Sequence, residues 1–90
     1  MRESDIEQYL CQQVALRNGI AYKFVSPNRV NVPDRVCLMP NGCIIFIELK
    51  ASGKKANDGQ LREHNRIRNL GFTVNVCDSF ESVDRALDWA

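Results

Sequence analysis

Ninety residues with a net charge of +1 allow one domain with a modest core, and exclude a chain whose overall charge alone steers it to nucleic acid. The cysteines Cys11, Cys37, Cys43 and Cys77 lie far apart with no C-x-x-C pair, which excludes a zinc knuckle and suits reduced, buried thiols. The chain has neither an apolar leader nor a long apolar run, so no membrane span is expected and the expected location is cytoplasmic.

The single domain takes in residues 1–90. Ser4-Asp5-Ile6-Glu7 reads as a capping box that opens a first helix. Ile6, Leu10 and Val14 recur every four residues, with Tyr9 beside them, and give that helix one apolar face. Gly19 is expected to end it. A strand is predicted from Ile20 to Val25, broken by Ser26-Pro27-Asn28. Tyr22 and Phe24, on this strand, are expected in the core. Val30 to Val32 leads into a second strand near Asp34 to Met39. Met39-Pro40-Asn41-Gly42-Cys43 predicts a hairpin turn. Cys43 to Lys50 is a third strand, β-branched and almost wholly apolar, hence central. Ala51 to Gly59 is a polar loop. A second helix is predicted from Asp58 to Leu70, stopped by Gly71. Phe72 to Val76 is a fourth strand, and Ser79 caps a last helix that turns Val83, Leu87 and Trp89 inward. The fold class is therefore α/β: a mixed four-stranded sheet flanked by helices, in the order αβββαβα.

The hairpin lets the register be argued. Pro40 suits the first central position of a type I turn, Asn41 the second, and Gly42 the left-handed position of the following bulge. Such a loop pairs Met39 with Cys43. Continuing the ladder without a second bulge sets Asp34 opposite Glu48. Directly opposed side chains have Cβ atoms roughly 5 Å apart, and like charges there are destabilising. A cation between the two carboxylates removes that penalty. Alternation places Glu48 and Lys50 on one face of the third strand, with Ile47 and Leu49 on the other. Two hard oxygen ligands beside a lysine suit a divalent metal, magnesium or manganese, and the phosphodiester it activates.

Val32-Pro33-Asp34-Arg35, followed by Glu48-Leu49-Lys50 and by Gln60 opening a helix, resembles the extended motif of the VRR-NUC branch of the PD-(D/E)xK nuclease superfamily. An isolated E-x-K is a weak signal. P-D followed by E-x-K on consecutive strands, with the glutamine, is a specific one, and the resemblance covers nearly the whole chain. It implies a restriction-endonuclease-like core of the stand-alone phage or bacterial type. It further implies metal-dependent hydrolysis of DNA, with Mg2+ or Mn2+ as cofactor. Asp34, Glu48 and the backbone carbonyl of Leu49 would be metal ligands, Lys50 the catalytic lysine, and Gln60 a further residue of the site. A glutamate on the first helix reaches the metal site in the family, and Glu7 matches it. One departure is Asn31, where the family often has glycine.

Each residue also has a plainer reading. Glu48 and Lys50 would make an ion pair on a solvated strand face, but the apolar run Ile44 to Ile47 argues against exposure. Glu7 is already accounted for by the capping box. His64 shares a helix face with Gln60, yet a lone histidine is more often structural, and it stays outside the catalytic set. Lys54 and Lys55 are the expected DNA contacts, with Arg62, Arg66 and Arg68 as a weaker basic track. Because the chain has little surface beyond such a site, and stand-alone relatives resemble homodimeric Holliday-junction resolvases, the expected activity is structure-specific cleavage of branched DNA, foremost four-way junctions, by a homodimer in a bacterial or phage-infected cell. Flap, nick or restriction-like cleavage, and a non-catalytic DNA-binding module, remain as alternatives.

Overall fold

The apolar four-residue repeat of the N-terminal segment becomes a helix in the computed structural model, which describes residues 1–88. Helix α1 spans Glu3–Leu16 and buries Ile6, Leu10 and Val14 completely. Its start differs from the capping box expected at Ser4: Arg2 is the N-cap, and no side chain caps the helix. The Glu7 carboxylate is instead drawn to Arg35, whose Nε donates to it at 3.0 Å, so it does not fold back onto Ser4. The helix ends through Asn18, which takes the left-handed conformation at φ 64. Gly19 serves close approach: a Cβ there would lie 2.6 Å from Met39 Sδ and 2.8 Å from the Leu38 carbonyl oxygen.

The sheet runs in the order β1-β2-β3-β4. Its strands are β1 (Ile20–Lys23), β2 (Arg35–Met39), β3 (Cys43–Leu49) and β4 (Thr73–Cys77). β1–β2 and β2–β3 are antiparallel, whereas β3 and β4 are parallel. The parallel pair is joined by helix α2 (Asp58–Asn69), and helix α3 (Phe80–Asp88) follows β4. The predicted α-β-β-β-α-β-α order and the mixed four-stranded sheet are both present. Met39 pairs with Cys43 as expected. The turn between them differs in detail, because Asn41 as well as Gly42 is left-handed, at φ 65 and φ 74. Asparagine tolerates that region, and the register is unchanged.

Strand alternation divides the sheet into two unequal faces. On one, α1 and α3 cover Cys37, Met39, Ile45, Ile47, Leu49 and Cys77, joined by Val83, Ala86 and Leu87 of α3. Ser79 caps α3, accepting from the Ser82 amide at 3.0 Å. Tyr9 stacks on Phe80 with ring centroids 4.0 Å apart, tying α1 to α3. The expected inward position of Trp89 lies outside the described residues. On the other face α2 reaches Glu48 of β3 and Val74 of β4. Tyr22, expected in the core, stands 53% exposed there, with Ile20, Leu38 and Phe72 also open to solvent. Among the described residues no helix is long and apolar enough to cross a membrane, and all four cysteines are free thiols.

Candidate active site

The antiparallel ladder of β2 and β3 stops at Arg35–Ile47, one step before the acid pair. There the Asp34 side chain takes over: its Oδ2 accepts the Leu49 amide at 2.8 Å, while the Asp34 carbonyl accepts from Phe24 at 2.9 Å. Pro33, before it, is fully buried. Asp34 is thus fixed from both sides beside Glu48, close enough for its charge to act on the Glu48 carboxyl. The adjacency argued from the hairpin is present.

Glu48 is 2% exposed. Its affinity for a proton is raised well above the usual carboxylate range, first by burial and then by the charge of Asp34. Lys50 opposes that shift, with Nζ 3.9 Å from Glu48 Oε2. The lysine follows the last residue of β3, and its amide donates to Cys77 at 3.0 Å, extending the strand's direction.

Helix α2 supplies the rest. Asn57 caps it, accepting the Gln60 amide at 2.8 Å, and Gln60 Oε1 in turn accepts the Asn57 amide at 3.0 Å. This reciprocal capping box aims the other half of the Gln60 amide at the sheet, where Nε2 donates to Glu48 Oε2 at 3.2 Å. One turn later, His64 places Nε2 3.3 Å from Glu48 Oε1. The ring is fully buried, and burial lowers its affinity for a proton.

Asp34, Glu48, Lys50 and Gln60 are therefore brought together. Glu7 borders the same open depression of about 240 Å³ as Asp34, but its carboxylate is engaged by Arg35 at 3.0 Å. Sequence reasoning missed Glu3, which also lines that depression and whose charge helps raise the Glu48 pKa. The i, i+4 spacing of Glu3 and Glu7 on one helix face was the available signal. Lys54 and Lys55 are exposed in the loop after β3. Arg66 and Arg68 are turned to structural partners, Glu63 at 3.5 Å and the Val74 carbonyl at 2.8 Å. Arg62 lines an open concavity with Arg29 and Asn31.

Among the described residues no three His, Cys, Asp or Glu side chains converge as a ready-made metal cage. A buried carboxylate beside a half-buried one, the two repelling each other, suits instead a hard dication that keeps several of its own waters, as magnesium does. Asp34 and Glu48 could hold such an ion, and the chemistry open to the cluster is metal-assisted phosphodiester hydrolysis.

No family model matches the sequence. The chain is 54% identical over 79 residues to "Putative nuclease p44" of Acyrthosiphon pisum secondary endosymbiont phage 1, across 88% of this chain and 85% of that protein. A solved structure described as a VRR_NUC domain superposes with a TM-score of 0.88, at 32% identity, over 96% of this chain and 94% of the other.

Proposed function

The chain belongs to the VRR-NUC family of nucleases, and from that premise we propose that it is a magnesium- or manganese-dependent endonuclease acting on branched DNA. The observation that carries this reading is buried Glu48 set beside half-buried Asp34, with the Lys50 ammonium 3.9 Å from Glu48. Asp34, Glu48 and the Leu49 carbonyl would hold the cation. Bound there, it would supply Lewis-acid polarisation of the phosphate and charge stabilisation at the leaving oxygen.

The remaining work falls to the chain's own groups. The Leu49 amide holds Asp34, and Gln60 holds Glu48. Lys50 presents a fixed positive charge to the phosphate and to the negative charge that develops on it. Lys54 and Lys55, exposed beyond the strand, would track the DNA backbone, a contact that weakens steeply with salt. Glu7 stays on Arg35 in this scheme, outside the set of ligands. Free thiols and the phage relative are compatible with a cytoplasmic location in a bacterial or infected cell.

Four-way junctions are the proposed substrate because a two-fold pair of such small chains would set two sites symmetrically about one crossover. In magnesium, Lys50→Ala and Asp34→Ala protein should each lose at least about a hundredfold in junction cleavage, the order expected when an electrostatic stabiliser is removed. Full cleavage by either would overturn the catalytic reading. Side-by-side assays on four-way junctions, flaps and plain duplex test the substrate, and equal rates on all three would remove the branched-DNA assignment.

A further inference from the structure

Glu48 is gripped at both of its oxygens by one helix. Gln60 Nε2 donates to Oε2 at 3.2 Å, and His64 Nε2 lies 3.3 Å from Oε1. The two donors are one helical turn apart on α2, so they share a face and act as a fork. The ring's second nitrogen is unusual. His64 Nδ1 is buried without a hydrogen-bond partner among the described residues. A leucine or phenylalanine would fill the same space without burying a bare nitrogen, so packing alone gives no reason for an imidazole here.

The orphaned Nδ1 also decides the tautomer. With the proton on Nε2, the ring donates to Glu48 and leaves only an acceptor lone pair unpaired. With the proton on Nδ1, an N–H donor is stranded in the core, and the Nε2 lone pair faces a carboxylate oxygen whenever Glu48 is ionised, as it is when it holds a cation.

We propose that His64 is a positioning residue for the metal site: its Nε2–H holds Glu48 Oε1 and, with Gln60 on the other oxygen, fixes the orientation in which Glu48 meets the divalent cation. The inference rests on the reading of Glu48 as a metal ligand. Partners behind a liganding group typically tune metal affinity by about 10- to 100-fold, although His64 touches neither metal nor DNA in this scheme.

The test is manganese titration calorimetry on the full chain, with thermal unfolding of each variant. Glutamine reaches about as far as Nε2 and can still donate, whereas leucine cannot. His64→Leu should weaken manganese binding about tenfold or more, and His64→Gln should restore it to near wild type. Turnover of junction DNA should follow manganese affinity, with KM for DNA unchanged. A folded His64→Leu protein that binds manganese as wild type does, while Glu48→Gln does not, would overturn this inference and leave the metal site standing. No manganese binding by the wild type would overturn both. A second readout needs no variant. The chain has one histidine, so a two-bond 1H–15N spectrum of the wild type in saturating magnesium, which ionises Glu48 and is diamagnetic, reports this ring alone. The Nε2–H tautomer is expected, and an Nδ1–H tautomer would overturn the proposal.

Discussion

At the scale of single residues, Gln60 serves a helix end and a carboxylate with one amide. Its Oε1 completes the α2 cap, and its Nε2 restrains Glu48. The two duties separate by mutation. Asn57→Ala removes the cap but leaves the Glu48 contact, whereas Gln60→Ala removes both. Each should cost about 1 kcal/mol of stability, a melting-point drop of about 4–8 °C in a domain of this size. Only Gln60→Ala should also weaken manganese binding, by about tenfold in calorimetry. Equal binding by the two variants would mean that the Glu48 contact does not orient the ligand. Gly19 makes a different point. Alanine there meets Met39 Sδ at 2.6 Å, which a flexible side chain can vacate, but also the Leu38 carbonyl at 2.8 Å, which the sheet holds in place. Gly19→Ala should therefore lose about 1–3 kcal/mol by overpacking, read from urea denaturation. An unchanged midpoint would show that the α1–β1 junction relaxes more freely than this geometry implies.

At the scale of elements, the segment between β1 and β2, which ends in the Asp34 motif, is fastened to α2. Arg29 donates to both Glu63 oxygens, at 3.1 and 3.0 Å. Asn31, left-handed at φ 67, sets its side chain against Gly59, where a Cβ would come within 2.7 Å of Asn31 Nδ2. That left-handed backbone explains why a position often held by glycine accepts asparagine. Glu63 is held below its ordinary value of 4.5, chiefly by the Arg29 hydrogen bond, against the opposing effect of burial. A carboxyl depressed by folding stabilises above its unfolded pKa, and that contribution is lost as pH falls through the folded one. The stability gap between wild type and Glu63→Gln should thus be constant near neutrality and shrink on acidification below the ordinary value. A gap independent of pH would remove the ion pair as its cause. These fastenings also show where sequence reasoning reaches. The hairpin register, and with it Asp34 beside Glu48, followed from five consecutive residues and strand alternation. The stripe of α1 followed from local periodicity. The first turn of α1 did not, because Arg35, 28 residues away from Glu7, competes for the carboxylate that a capping box needs. Nor did the role of Gly19, set by Met39 across the fold, or the place of His64, whose partner Glu48 lies on another element. Local chemistry was legible, and contacts between elements were legible only where a turn fixed the register.

At the scale of the whole molecule, the sheet is covered on one face and largely open on the other. Ile20 and Tyr22 on β1, Leu38 on β2 and Phe72 beside β4 are each at least 41% exposed. Phe46 of β3 lies on the same face and packs against Phe24 and Phe72 with ring centroids 5.6 and 5.9 Å apart. An exposed apolar patch of this kind marks an interaction surface more often than a solvated one. The proposed occupant is a second copy of this chain. A two-fold contact sets the same patch against itself, and the four side chains named carry no charge that would then be buried unpaired. Leu38→Glu places a carboxylate within this patch, and its symmetry mate would repeat that charge on the partner. Because Leu38 is already 41% exposed, the change should leave the monomer's unfolding free energy within about 0.5 kcal/mol of wild type. Sedimentation velocity should show a dimer for the wild type and a monomer for Leu38→Glu. The monomer keeps Asp34, Glu48 and Lys50 intact, so it should still nick a junction once but lose paired, symmetric incision. A Leu38→Glu protein that remains dimeric would move the interface elsewhere. A wild type that is monomeric at working concentration, yet incises junctions symmetrically, would sever the link between the open sheet face and the substrate.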